Sequence, residues 1–175
     1  MDHIFELCKI GDLNGLIKLD KELGLRIKDN IINNTNKYEQ TLFFIATTNG
    51  HLHIIKYFIS NGYNLLNNSS NILKQIILNK ENKLNEEKIF ELLNYLINEL
   101  NIDINNRDTC GNTLLHYAIL HNKINSANVL LDMGINKYYL NQNSEVAFDL
   151  APNDEVLERI HYKYVTEYLE YITTI

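Results

Sequence analysis

The chain has 175 residues, 45% of them hydrophobic, with a formal net charge of -6, two cysteines and no tryptophan. That length supports one sizeable core, while the acidic balance and the lack of a Lys/Arg cluster exclude a phosphate-tracking nucleic-acid surface. No apolar run reaches the roughly 18 residues of a membrane span, and no secretory leader opens the sequence, so an intracellular protein is expected.

The 27 Asn and 23 Ile fit the coding bias of an AT-rich genome better than any structural demand. Taken in order, apolar residues recur at helical spacing in pairs of short segments. Ile4, Leu7 and Cys8 line a first helix, Gly11-Asp12-Leu13 turns the chain, and Leu13, Leu16 and Leu19 line a second. A loop from Gly24 to Lys37 follows. Thr41 then precedes a helix carrying Phe43, Phe44 and Ala46, and Gly50-His51-Leu52 turns the chain into a longer helix with Ile54, Ile55, Phe58 and Ile59, stopped by Gly62.

The next pair is degenerate. Helical spacing covers Ile72 to Leu78 and again Ile89 to Leu100, with Lys74 where a Thr is expected and a polar, aperiodic stretch, Asn79 to Lys88, between them. The stretch from Asp108 to Asn136 is the clearest. Gly111 sits where a tight turn needs positive φ, and Thr113 is placed to cap a helix with Leu114, Leu115, Ala118 and Ile119. Asn122 breaks that helix, Ile124, Ala127, Leu130 and Leu131 mark its partner, and Gly134 ends it. Beyond it, Phe148 falls in a further short helix stopped by Pro152, and Val156, Leu157 and Ile160 mark its companion. The spacing of Val165, Tyr168, Leu169 and Ile172 predicts a last helix that covers Phe148, Leu157 and Ile160.

Helices this short cannot bury their apolar faces alone and need copies of themselves on either side. The pattern Asp108-x-x-Gly111-x-Thr113-x-Leu115-His116-x-Ala118 resembles the ankyrin repeat, with Leu114 in place of the usual proline. Thr41, Phe43, Phe44 and Ala46 match Thr113, Leu115, His116 and Ala118, and Asn141, Ser144, Val146, Phe148 and Ala151 match Asp108, Gly111, Thr113, Leu115 and Ala118. Thr41 and Thr113 stand 72 residues apart where two regular repeats span about 66, so an insertion is expected inside.

The resemblance implies an all-α fold, an ankyrin-repeat solenoid of about five helix-turn-helix repeats with a C-terminal capping helix. Residues 1–175 form a single domain on this reading: an N-terminal cap repeat at 1–30, repeats at about 36–67, 68–104 with an insertion at 79–88, 105–137 and 138–161, and a helix at 162–175. It also implies that His116 is a structural histidine bonding backbone near Thr113 or in the neighbouring repeat. Phe44 cannot make that bond, and Asp149 stands in its place in the last repeat.

Candidate chemistry is thin. His51 and His53 are two residues apart and do not converge on one helix face, and no Cys or Asp lies beside them at ligand spacing, so no metal or cofactor is expected. Cys110 is in a turn near His116 and His121, but catalysis would also need an oriented base and an oxyanion hole. Cys8 and Cys110 suggest no disulfide framework. No Gly-rich phosphate loop exists, and Glu99, Asp103 and Asp108 read as solvated loop carboxylates. The eleven tyrosines are the stronger signal, since Tyr is favoured at interfaces, although Tyr162, Tyr164, Tyr168 and Tyr171 read as a seal on the C-terminal end.

The resemblance implies a non-enzymatic protein–protein interaction scaffold; with the charge and apolar pattern above, the expectation is a monomer in the cytoplasm or nucleus with no nucleic-acid or membrane partner. Turn tips and first helices would present a concave face. On this chain that face comprises Tyr38, Gln40, Ile45, Thr48 and Asn49, then Arg107, Thr109, Asn112, Tyr117, Leu120 and His121, then Gln142 and Glu145. The alternative is an occluding inhibitor of a host or cellular signalling factor.

Overall fold

The computed structural model describes residues 2–23, 35, 40–62, 69–78 and 84–174. Most of the expected loop at 24–37 and residues 79–83 of the expected insertion lie outside the described residues. The named elements are all helical: α1 (Asp2–Ile10), α2 (Leu13–Leu23), α3 (Leu42–Thr48), α4 (Leu52–Ser60), α5 (Ser69–Ile77), α6 (Glu86–Asn94), α7 (Leu114–Leu120), α8 (Ile124–Asp132), α9 (Asp154–Glu158) and α10 (Tyr162–Thr174). A π turn, Tyr95–Glu99, continues α6, and a single 3-10 turn, Ala147–Leu150, precedes α9. This all-helical arrangement of short helices in pairs is consistent with an ankyrin-repeat helical solenoid.

The chain divides into two units, Met1–Leu84 and Asn85–Ile175. The boundary falls inside the stretch where the sequence places its insertion. In the first unit α1 packs on α2 and α3, and α3 packs on α4 and α5. Helices of the same kind therefore stack on each other, which is how short amphipathic helices complete their burial. Cys8, Leu16, Phe43, Ala46, Ile54, Phe58, Leu73 and Ile76 fill this core. The rings of His51 and His53, at the start of α4, donate to the carbonyls of Lys9 and Gly11, each at 2.9 Å. Both histidines thus tie α4 to the α1–α2 turn. Burial pushes the Cys8 thiol up to about 12, so it stays protonated at neutral pH and serves as packing.

Local capping explains where helices start. Thr41 is extended and its hydroxyl accepts from the Phe44 N–H at 3.1 Å. The cap of α3 therefore survives the replacement of a histidine by Phe44. Helix α6 begins at Glu86, ahead of the Ile89 start that periodicity predicts. Asn85 Oδ1 accepts from the Lys88 N–H at 3.0 Å, and Glu86 and Glu87 place negative charge in the first turn.

In the second unit α6 packs on α8, and α7 packs on α8 and on the 3-10 turn. Leu92, Leu93, Leu115, Ala118, Ile119, Ala127, Leu130 and Phe148 form its core. The expected helix around Phe148 is only that 3-10 turn. Pro152 holds Ala151 extended, at φ -61° and ψ 126°, and lacks an N–H to carry the helix on.

Helix α10 departs most from expectation. Of Val165, Tyr168, Leu169 and Ile172, only Tyr168 is buried, its ring 5.0 Å from that of Phe148. Leu169 and Ile172 are exposed. The helix is rotated so that Tyr164, Tyr168 and Tyr171 face the body, because these phenols find partners there in Asp132, Asp149 and Tyr138. A hydrophobic stripe alone does not choose the inward face when hydrogen-bonding aromatics compete for it.

Gly111 and Gly134 have nearly the same backbone, φ +78° and +82°, but different surroundings. A Cβ on Gly111 would lie 3.2 Å from both Asn141 Cα and Gln142 N, whereas one on Gly134 would meet nothing within 4 Å. Gly134→Ala should therefore lose only the about 1–2 kcal/mol of a left-handed L-residue. Gly111→Ala should lose clearly more, because backbone must move. Urea unfolding of the two variants checks the order.

Candidate functional site

The tip before α7 is built around Asp108. Its Oδ1 accepts from the N–H groups of Cys110 and Asn112, each at 2.9 Å, and its Oδ2 accepts from the Tyr117 hydroxyl. Asp favours this place because a short carboxylate can bond backbone two residues on. The following tip repeats the device with Asn141. Its Oδ1 accepts from Asn143 N–H at 2.9 Å and Glu145 N–H at 3.0 Å. Its amide donates to Asn112 Oδ1 at 3.2 Å and to Glu145 Oε2 at 2.9 Å.

The two tips are stapled together. Gln142 donates from its backbone to the Cys110 carbonyl at 2.9 Å and from its side chain to the Thr109 carbonyl at 2.7 Å. Arg107 donates to the Gly111 carbonyl at 3.1 Å and to the Leu140 carbonyl at 2.6 Å, with its guanidinium 5.5 Å from the centre of the Tyr139 ring.

Beneath the tips lies His116, buried on α7. Nδ1 accepts from the Thr113 N–H at 3.2 Å and lies 2.8 Å from the Thr113 hydroxyl. A backbone N–H can only donate, so the proton of the neutral ring sits on Nε2, which donates to the Glu145 carbonyl at 3.2 Å. Burial holds this imidazole below its ordinary 6.5, and the positive charge of Arg107 pushes the same way. Asp149 does the same job one repeat on. Its Oδ2 accepts from the Val146 N–H at 2.9 Å, as Nδ1 does from Thr113, and its Oδ1 accepts from the Tyr168 hydroxyl at 2.6 Å. The exchange of His for Asp suits its neighbour: the group above His116 is a carbonyl that needs a donor, and the group at Asp149 is a phenol that needs an acceptor. Burial, and then the Asp149 carboxylate, push the Tyr168 phenol up to about 12.

The expected binding residues fall into three groups. Tyr38 lies outside the described residues. Ile45 is buried and serves the core of the first unit. Thr48 and Asn49 are half-buried, each bonding a carbonyl of its own helix, and Gln40 is half-buried at the start of α3. In the second unit, Arg107, Thr109, Asn112, Gln142 and Glu145 all take part in the tip network. Half-buried Tyr117 and exposed Leu120 on α7, with exposed His121 just beyond its end, form the outer flank: the Tyr117 and His121 rings stack at 6.4 Å and 7°, and Leu120 is 44% exposed. Sequence reasoning missed Asp132 and Asp149 as acceptors for Tyr164 and Tyr168, at 2.8 Å and 2.6 Å. No local signal marks them: they stand 32 and 19 residues before the tyrosines they bind, among other acids such as Glu145, Asp154, Glu155 and Glu158. Among the described residues no group of three His, Cys, Asp or Glu side chains could hold a metal ion, and Cys110 is a free, exposed thiol.

A family model described as ankyrin repeats (many copies) matches residues 90–131, from α6 through the Asp108 tip and α7 into α8. The paired helices and this match together support an ankyrin-repeat protein. Ankyrin repeats generally mediate protein–protein interaction and are typically non-enzymatic. No curated protein matches the chain. Among the described residues no helix is long and apolar enough to cross a membrane.

Two outcomes follow from the His116 and Asp149 contacts. The folded protein keeps His116 neutral below its ordinary 6.5, so the stability this residue contributes is complete above about pH 6.5. That contribution is lost as pH falls toward the lowered folded value. The stability gap between wild type and His116→Gln, from urea unfolding, should therefore shrink between pH 7.5 and pH 5. Asp149→Ala leaves the Val146 N–H and the Tyr168 hydroxyl without an acceptor and should lose about 1–3 kcal/mol, more than Tyr168→Phe, which removes one bond. Parallel chemical denaturation of both variants tests that ranking.

Proposed function

We propose that this chain is a non-enzymatic protein-binding module. In its second unit the contact is made by Tyr117 and Leu120 on α7 and His121 just beyond its end, with Arg107, Thr109, Asn112, Gln142 and Glu145 shaping the turn tips around them. The observation that carries this reading is the fixed Tyr117: its hydroxyl is held by Asp108 and its ring is stacked on His121, beside the exposed Leu120. An aromatic anchor already ordered in the free protein loses little side-chain entropy on binding, and such anchors dominate interface energetics. The polar atoms of the tips are already engaged with each other, so they act as a rigid frame and a polar rim. Gln40, Thr48 and Asn49 belong to a separate contact set in the first unit.

Capture of proteins from cell extract on the immobilised chain tests the reading. Leu120→Asp combined with His121→Ala should release a captured protein while the melting temperature stays unchanged, because both side chains are exposed. Capture that survives both substitutions would place the contact elsewhere. A single stoichiometric partner whose own signalling activity is blocked on binding would favour the occluding-inhibitor form of the same function.

A further inference from the structure

Helices α9 and α10 are separated only by the residues from Arg159 to His161, and nothing in the sequence requires the break. From Asp154 to Thr174 the chain has no Gly and no Pro, the residues that ordinarily end a helix. Val156, Ile160, Tyr164 and Tyr168, which all face the body, recur at steps of four, as one row along a single helix. The bend is imposed from outside. The buried side chain of Asn128 on α8 accepts the His161 N–H at 3.0 Å. One turn on, Asp132 lies 3.5 Å from the His161 ring and accepts the Tyr164 hydroxyl at 2.8 Å. In a continuous helix the same His161 N–H would turn to the Leu157 carbonyl.

We propose that this bend opens and that α10 then docks on a second copy of the chain, giving a swapped homodimer. Helix α9 stays on its own body, where Val156 and Ile160 are buried, so a straight α9–α10 helix carries the tyrosines away from it. The place they leave is defined by Asp132, Lys137, Tyr138, Phe148 and Asp149, all of which precede α9. A second copy presents the same residues, and its vacated site takes α10 with every docking contact unchanged. The occupant is therefore the segment already seated there, and the exchange is reciprocal because each copy gives one helix and receives one.

Closed monomer and swapped dimer differ at the hinge and in the entropy of association, not in the docking contacts. The hinge exchanges the Asn128 bond for a helical one. The fastenings that must open include those to Asp132, Asp149 and Glu167, exposed carboxylates for which water competes. A swapped dimer also carries the Tyr117–Leu120–His121 flank twice.

Sedimentation equilibrium of the full chain, in reductant because Cys110 is an exposed thiol, over roughly 5–500 µM is the test. The expected result is a reversible monomer–dimer equilibrium in the wild type. Asn128→Ala takes the acceptor from the His161 N–H in the bent form alone and should lower the dissociation constant by about tenfold. Arg159→Gly, at an exposed hinge position, weakens the straight helix in both copies and should raise it by about tenfold. Leu169→Glu, on the outward flank, should leave it unchanged. Thermal melts establish that each variant folds. Should Asn128→Ala not fold, a mixture of Asp149→Ala with Tyr168→Phe decides. The mixture should dimerise more than either variant by itself, because only a swapped heterodimer contains one interface with both Tyr168 and Asp149. A wild type that stays monomeric throughout overturns the proposal. So does a dimer abolished by Leu169→Glu, or a mixture that associates no better than its components.

Discussion

At Gly111 the backbone of the next turn comes within 3.2 Å of where a side chain would begin, and the order of the second unit depends on that approach. Because the tips meet backbone to backbone, Gln142 can donate to Cys110 and Arg107 can reach Leu140. Because the tips are fixed, Thr113 and Glu145 stand at the two nitrogens of one buried imidazole. A helix of seven residues such as α7 is marginal on its own. Here it is held at its start by the Thr113–His116 contacts and along its length by packing against α8 and the 3-10 turn.

His116 and Asp149 show one position adapting to what lies above it. Both bond the backbone N–H of the residue that starts their own turn, at 3.2 Å and 2.9 Å, and both use a second atom to fasten the element that follows. Above His116 that element is another tip, offering a carbonyl. At Asp149 it is α10, offering a phenol. The terminal helix is thus joined by the same device as the repeats, with donor and acceptor exchanged.

The same economy bears on recognition. Side chains at the tips look available in a sequence because they are polar and lie in turns, yet most of their hydrogen-bonding capacity is turned toward neighbouring tips. What remains toward solvent on α7 and just beyond its end is aromatic and aliphatic, in Tyr117, His121 and Leu120. Surfaces of this composition, on a base that does not have to order itself, suit protein partners better than small molecules or phosphates.

The helix pairs were legible in the sequence because burial of short amphipathic helices imposes a period, and Gly111, Thr113 and Thr41 mark where turns and caps must fall. The structural role of His116 was legible too, from its place in the repeat motif. The early start of α6 was readable in principle from Asn85 followed by Glu86 and Glu87, although the polar run around them hid it. Three things were settled only in three dimensions. Ile45 turned inward, because α3 packs on α1, α4 and α5 together. The Phe148 segment shortened to one 3-10 turn, because Pro152 constrains the residue before it. The sequence offered α10 two inward faces, the Val165–Ile172 stripe and the tyrosine seal, and the fold took the seal without Tyr162, which is exposed, because a period reports which residues share a face but not which face meets a carboxylate. Periodicity is a property of the chain alone; the acceptors that chose between faces, Asp132 and Asp149, lie 32 and 19 residues from the tyrosines they bind and act only once the fold brings them there.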